Sequence, residues 1–181
     1  VRIFNVGMGK KKEELELNEI DYSKVGNFGG VSFKYDSSPF TKNIKNKKYK
    51  VKITNLNEFM EIAKCNFMKI DVELMELDIL TGGKNFLKKF RPILWIENHQ
   101  FYPNEINTFL LENDYNAYWA YSNMFNESNY FINDNNYFGE LATLNTLAIP
   151  KEDYRFSMDK QFDKIIDLYT KPKIVLNKLI K

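Results

Sequence analysis

One cysteine, Cys65, and one histidine, His99, stand among 181 residues. A single thiol excludes an internal disulfide framework and a cysteine-built zinc site. A single imidazole excludes a multi-histidine metal centre supplied by this chain alone. Proline and glycine are sparse, at five and eight residues. There is no linker rich in proline, glycine or serine, and no repeat. No stretch reaches the roughly 18 apolar residues of a membrane helix. The opening VRIFNVGMGKKKEE has no apolar run of signal-peptide length, so no membrane attachment and a cytoplasmic location are expected. Arginine is nearly missing, at 3 of 26 basic residues. Base-edge readout favours arginine, and the net charge is only +2, so no nucleic-acid partner is expected. The 22 asparagines and 16 isoleucines against 5 alanines accompany the lysine excess. All these abundant residues have AT-rich codons, which makes genome composition a better source of the lysines than a phosphate-binding surface. The run 42–52 (KNIKNKKYKVK) lacks the aromatic interleaving that stacked bases need and reads as a solvated loop entering a strand.

Apolar residues make up 44% and charged residues 28% of the chain, ordinary values for one globular domain. Residues 1–6 alternate and read as a strand before the turn at Gly7-Met8-Gly9. The same glycines lack the spacing of a phosphate loop. Further strands are expected at 14–17, 27–33 and 49–54, with 35–48 as loop. Asn55 and Glu58 form a capping-box-like pair opening a helix. Residues 66–72 read as a strand and 75–89 as a helix interrupted at Gly82-Gly83. The apolar run 92–97 (PILWIE) reads as a strand covered on both faces. A helix at 104–113, strands at 114–121 and 144–149, and a polar loop at 126–136 complete the pattern. Helices are expected at 158–169 and 174–180, within a C-terminal tail 151–181. Alternating strands and helices at this spacing predict a Rossmann-like α/β fold, a mostly parallel sheet with helices on both faces.

Ligands of open parallel sheets bind beyond the carboxyl ends of the strands. That rule selects Lys69-Ile70-Asp71-Val72-Glu73 and Ile96-Glu97-Asn98-His99. Asp71 and Glu97 are 26 positions apart with one helix between them, the spacing of a single crossover between neighbouring parallel strands. Asp71, Glu73, Glu97 and His99 are therefore the candidate catalytic residues. Such a group suits proton removal from a hydroxyl or amine, and its chemistry would also suit a hard divalent cation. We take the first, without a metal. Each residue also has a plainer role. Asp71 could cap the next helix, Glu73 and Glu76 suit a helix's first turn, and Glu97 could pair with Lys69. Glu76 is expected one turn beyond Glu73 and more exposed.

Segment 66–97 resembles the signature of FkbM-type methyltransferases: lysine-isoleucine-aspartate-x-glutamate, an acidic helix, a glycine, then arginine-proline and an apolar strand ending in glutamate. Lys69, Ile70, Asp71, Glu73, Glu76, Gly82 or Gly83, Arg91, Pro92 and Glu97 carry it. The resemblance extends over 1–150. Ile53-Thr54-Asn55-Leu56 is similar to the segment opening the preceding helix, Asp114-Tyr115 to a glycine-tyrosine strand entry, and 145–150 (NTLAIP) to the closing strand. Leu74 stands where the family usually has glycine. The resemblance implies transfer of a methyl group from S-adenosylmethionine to a hydroxyl of a sugar or other small metabolite.

It further implies that 1–181 is one domain running from the third strand onward, with the glycine-rich donor-binding strand and turn upstream of the matched region. Lost strands would expose sheet edges beside 66–72, so a homo-oligomer is expected. A non-catalytic assembly or binding module that keeps the second half of the fold is the alternative. On this reading the 181-residue chain binds S-adenosylmethionine weakly or not at all. Calorimetric titration should give no dissociation constant in the low micromolar range, and one in that range contradicts the reading.

Overall fold

The computed structural model describes residues 1–20, 22–23, 44–98, 104–154 and 163–165. They form two compact units, one from Val1–Cys65 with Asp71–Arg91, the other from Asn66–Ile70 with Pro92–Lys181.

The first unit carries a three-stranded sheet in the order β1-β3-β2, from β1 (Gly7–Met8), β2 (Glu13–Ile20) and β3 (Ile44–Thr54). β1 runs parallel to β3, and β2 antiparallel to it. Opposite charges hold the antiparallel pair along its solvent face. Lys50 reaches Glu14 at 2.8 Å and Lys48 reaches Glu16 at 3.6 Å. The Glu14 carboxylate, as hydrogen-bond acceptor and as charge, raises the Lys50 pKa above its ordinary value. The strand expected at 49–54 is present and begins earlier, at Ile44, within the segment expected to be loop; Lys48 and Lys50 there face glutamates more than thirty positions upstream. The expected strand 1–6 is replaced by the two-residue β1, and Phe4 packs edge-on against Phe59 with ring centroids 5.2 Å apart. The expected strand 27–33 lies outside the described residues.

After Asn55 the chain makes one 3-10 turn, Leu56–Phe59, rather than a helix. Asn55 still caps it, accepting from the Asn57 N–H at 3.0 Å. Asn57 is committed elsewhere. Its Nδ2 donates to the Gly82 carbonyl at 2.9 Å, and its Oδ1 accepts from the Phe86 N–H at 3.0 Å. One amide therefore pins the junction between α1 (Glu76–Gly82) and α2 (Lys84–Phe90), where the sequence breaks at Gly82-Gly83. A Cβ on Gly82 would lie 2.3 Å from the Lys10 carbonyl oxygen, so only glycine permits this backbone approach. α2 ends on Arg91 in the left-handed conformation (φ 47), just before Pro92.

The second unit is a five-stranded sheet in the order β4-β5-β7-β6-β8. Its strands are β4 (Phe67–Ile70), β5 (Ile93–Glu97), β6 (Tyr115–Asn123), β7 (Ala142–Pro150) and β8 (Asp163–Ile165), with α3 (Glu105–Glu112) between β5 and β6. β5 is covered on both faces, as its apolar run predicts. Leu94 and Ile96 are fully buried, while Ile93 and Trp95 pack against Tyr118, Leu147 and Ile149. The architecture is α/β, but the expected mostly parallel sheet gives way to a mixed one. β4 and β5 are parallel, whereas β5 with β7, β7 with β6 and β6 with β8 are antiparallel. The cause is the β6–β7 hairpin, which returns the chain into the gap between β5 and β6. β4, β5 and β6 therefore all run one way, with β7 reversed between them. Residues 163–165, expected to be helical, pair with the open edge of β6 and bury Ile165. The rest of the two expected C-terminal helices lies outside the described residues. No helix among the described residues is long and apolar enough to cross a membrane.

Candidate functional site

β4 and β5 pair from Phe67 opposite Ile93 to Ile70 opposite Ile96. Glu97 is the last residue of β5, and Asp71 is the first after β4. The in-register pairing thus brings the chain to Asp71 after one strand and Glu97 at the end of the other, both at the carboxyl edge of the ladder. Asp71 is exposed, and Glu73 and Glu97 are half-buried. His99 lies outside the described residues.

The chain turns sharply after Asp71. Glu73 and Leu74 both adopt left-handed backbone conformations, with φ 48 and 75. α1 begins only at Glu76, so Glu73 and Glu76 do not share a helix face. Glu76 consequently reverses its expectation: it is 4% exposed and more buried than Glu73. Its Oε1 accepts the Val72 N–H at 3.1 Å, closing the 72–76 turn with a carboxylate. A charge-assisted bond to a backbone donor stabilises more than a neutral one. Glu76 is thus a brace for the segment that carries Glu73.

Beyond Glu97 lies a buried polar cluster. Asn98, Asn104, Asn107 and Thr146 are 0–1% exposed. Asn98 Nδ2 donates to Thr146 Oγ1 at 2.8 Å and to Asn107 Oδ1 at 3.2 Å. Asn104 Nδ2 donates to Asn98 Oδ1 at 3.0 Å, while Asn104 Oδ1 caps α3 by accepting the Asn107 N–H at 2.9 Å. The Asn98 N–H donates to the Leu144 carbonyl at 3.1 Å. The residue after Glu97 is therefore tied to β7 and to the start of α3. Burying amides is costly unless they are hydrogen-bonded; Asn98 and Asn104 are satisfied within the network, while Asn107 Nδ2 is buried without a partner. The sequence offered one signal for it, an asparagine directly following a buried apolar strand. Its partner Thr146 is 48 positions away and could not be read from spacing.

A family model described as the Methyltransferase FkbM domain matches residues 2–147. No curated protein and no solved structure matches the chain.

The 72–76 turn makes two opposed stability predictions. A left-handed residue with a Cβ costs roughly 1–2 kcal/mol, and glycine costs about 0.5–1 kcal/mol in chain entropy. Leu74→Gly should therefore leave urea stability unchanged or raise it by up to about 1.5 kcal/mol. Glu76→Ala should lower it by about 1–3 kcal/mol, because the part-buried Val72 N–H loses its acceptor. A clear loss on Leu74→Gly contradicts the left-handed turn.

Proposed function

This chain belongs to the FkbM methyltransferase family, and from that membership we propose that it moves a methyl group from S-adenosylmethionine to a hydroxyl of a small acceptor such as a sugar. The observation that carries the reading is the parallel β4–β5 ladder, whose carboxyl edge leads into Asp71 on one strand and ends on Glu97 on the other. Ligands of α/β sheets gather at such edges.

The residue set suits both partners of the reaction. The donor carries a positive sulfonium and the acceptor must shed a proton, so carboxylates serve at each end. Bound here, S-adenosylmethionine would supply an electrophilic methyl group, with the sulfur leaving as a neutral thioether once the acceptor oxygen has taken the carbon. Glu97 takes the proton from the acceptor hydroxyl, and His99 is the other candidate base. Asp71 holds the donor or the acceptor hydroxyl, and Glu73 supports it. Holding both reactants in line supplies much of the rate. The Asn98 cluster steadies the strand end that presents Glu97.

The test is formation of S-adenosylhomocysteine at millimolar S-adenosylmethionine with a panel of neutral mono- and disaccharides. Glu97→Gln should lower the turnover rate by about 100-fold or more, the range for a lost proton acceptor. Its unfolding midpoint should stay at the wild-type value. Undiminished turnover removes Glu97 from the role. No product across the panel favours a binding module instead.

A further inference from the structure

One face of the five-stranded sheet changes character along its strands. Residues paired across adjacent strands share a face, and successive residues alternate, so the pairing fixes the rows. Trp95, Leu147 and Tyr118 make one row. It is apolar, and Ile93 and Ile149 pack with it. Two positions on, toward the carboxyl end of β5, the next row is Glu97, Asn145 and Ala120. The row after that holds Thr143 and Ser122. At the level of Glu97, all three strands thus pass from large apolar side chains to small or polar ones.

Asn145 does not fit a purely structural account of that boundary. It is only 7% exposed. Its Nδ2 donates to Thr143 Oγ1 at 3.4 Å, a long bond beside the ordinary range. The Thr143 hydroxyl already shares a 3.0 Å bond with Ser122 Oγ. Among the described residues, Asn145 Oδ1 accepts no hydrogen bond. One position past Glu97, by contrast, Asn98 places its amide on Thr146 and Asn104. A primary amide buried to this degree ordinarily has partners, and burying one without them is costly. A leucine at 145 would extend the apolar row without that cost. The amide therefore serves a partner other than the fold.

The neighbouring residues say what kind of partner fits. Side chains directly opposite each other on adjacent strands start about 5 Å apart at Cβ. The Glu97 carboxylate and the Asn145 amide can thus meet one small molecule at neighbouring atoms. A carboxylate only accepts, whereas an amide both donates and accepts. A hydroxyl has the same double capacity as the amide, so it can use Oδ1 and Nδ2 alike. Ala120 beside Asn145 adds no bulk beyond a methyl group. Asn145, Ala120, Thr143 and Ser122 carry no charge, which suits a neutral group there.

We propose that Asn145 is an acceptor-binding residue. It holds the hydroxyl adjacent to the one that Glu97 deprotonates, so the site selects a vicinal diol over an isolated alcohol. This rests on the methyl-transfer reading for the role of Glu97; diol binding by the amide does not depend on it. The test is titration of the full chain with cis- and trans-cyclohexane-1,2-diol and with cyclohexanol, read on the side-chain amide resonances of Asn145. Formation of S-adenosylhomocysteine from S-adenosylmethionine is measured on the same alcohols. One diol should shift the Asn145 resonances and bind about tenfold tighter than cyclohexanol, the worth of one hydrogen bond. Asn145→Leu keeps the size of the side chain and removes both polar atoms. It should reduce the diol to the level of cyclohexanol, while its unfolding midpoint holds or rises, because an under-bonded amide has been replaced by an apolar group. Equal binding of diol and cyclohexanol by the wild type overturns the proposal, as does failure of all three to bind. A preference that survives Asn145→Leu, or a clear fall in midpoint that marks a structural amide, overturns it too. The transfer assay separates the two claims. A diol preference in binding with no S-adenosylhomocysteine formed defeats the methyl-transfer reading and leaves the role of the amide. Equal turnover on diol and cyclohexanol defeats the assignment of Asn145 alone.

Discussion

Everything proposed for this protein depends on one short parallel ladder. Four residue pairs join β4 to β5. A parallel pair cannot be closed by a tight turn, so the intervening chain must travel back the full strand length. Residues 71–92 do so and carry α1 and α2 on the way. That requirement brings both strands to their carboxyl ends on the same side. Leu94, Ile96 and Ile70, at 0–3% exposure, anchor the pairing, because a slip of one residue would exchange these fully buried side chains with the less buried Ile93 and Trp95. The acidic residues are where they are because the apolar ones before them have no other register.

The two departures from the family's glycines share a physical character. Leu74 and Asp114 stand where the resemblance places glycine, and both are left-handed, with φ 75 and 60. The backbone has kept a conformation suited to glycine while the side chains have changed. Asp114 bears this more easily than Leu74, since a short polar side chain is tolerated there. It also reaches Lys151 at 3.3 Å. Leu74 has no such compensation in polarity, and it is exposed. The strain sits beside Glu73, in the turn that the Glu76 carboxylate closes, which is a place where backbone strain is commonly associated with function.

What the sequence revealed and what it hid divide by distance along the chain. β5, the break at Gly82-Gly83 and the Asn55 cap were legible, because apolar runs, glycine pairs and capping asparagines act locally. Strand direction was not. Nothing in residues 142–150 records that the preceding loop returns them antiparallel between β5 and β6. The first half of β3, up to Lys48, read as loop because the glutamate that Lys48 answers lies far upstream. Glu76 was misjudged by helical spacing, which assumes an unbroken helix where two left-handed residues intervene. The Asn98 cluster escaped notice because its meaning depends on Thr146 and Asn107 converging in space. The family was legible all the same, since its signature falls within one crossover.

The account's central claim is that a carboxylate at the end of β5 accepts the proton during methyl transfer. The most direct measurement compares wild type and Glu97→Gln, at one fixed millimolar concentration of S-adenosylmethionine, on acceptors whose hydroxyls differ in acidity. The account predicts that the substitution slows transfer most on an alkyl hydroxyl and least on the most acidic one, which needs a base least. A loss of the same size on every acceptor, or no loss on any, would contradict it.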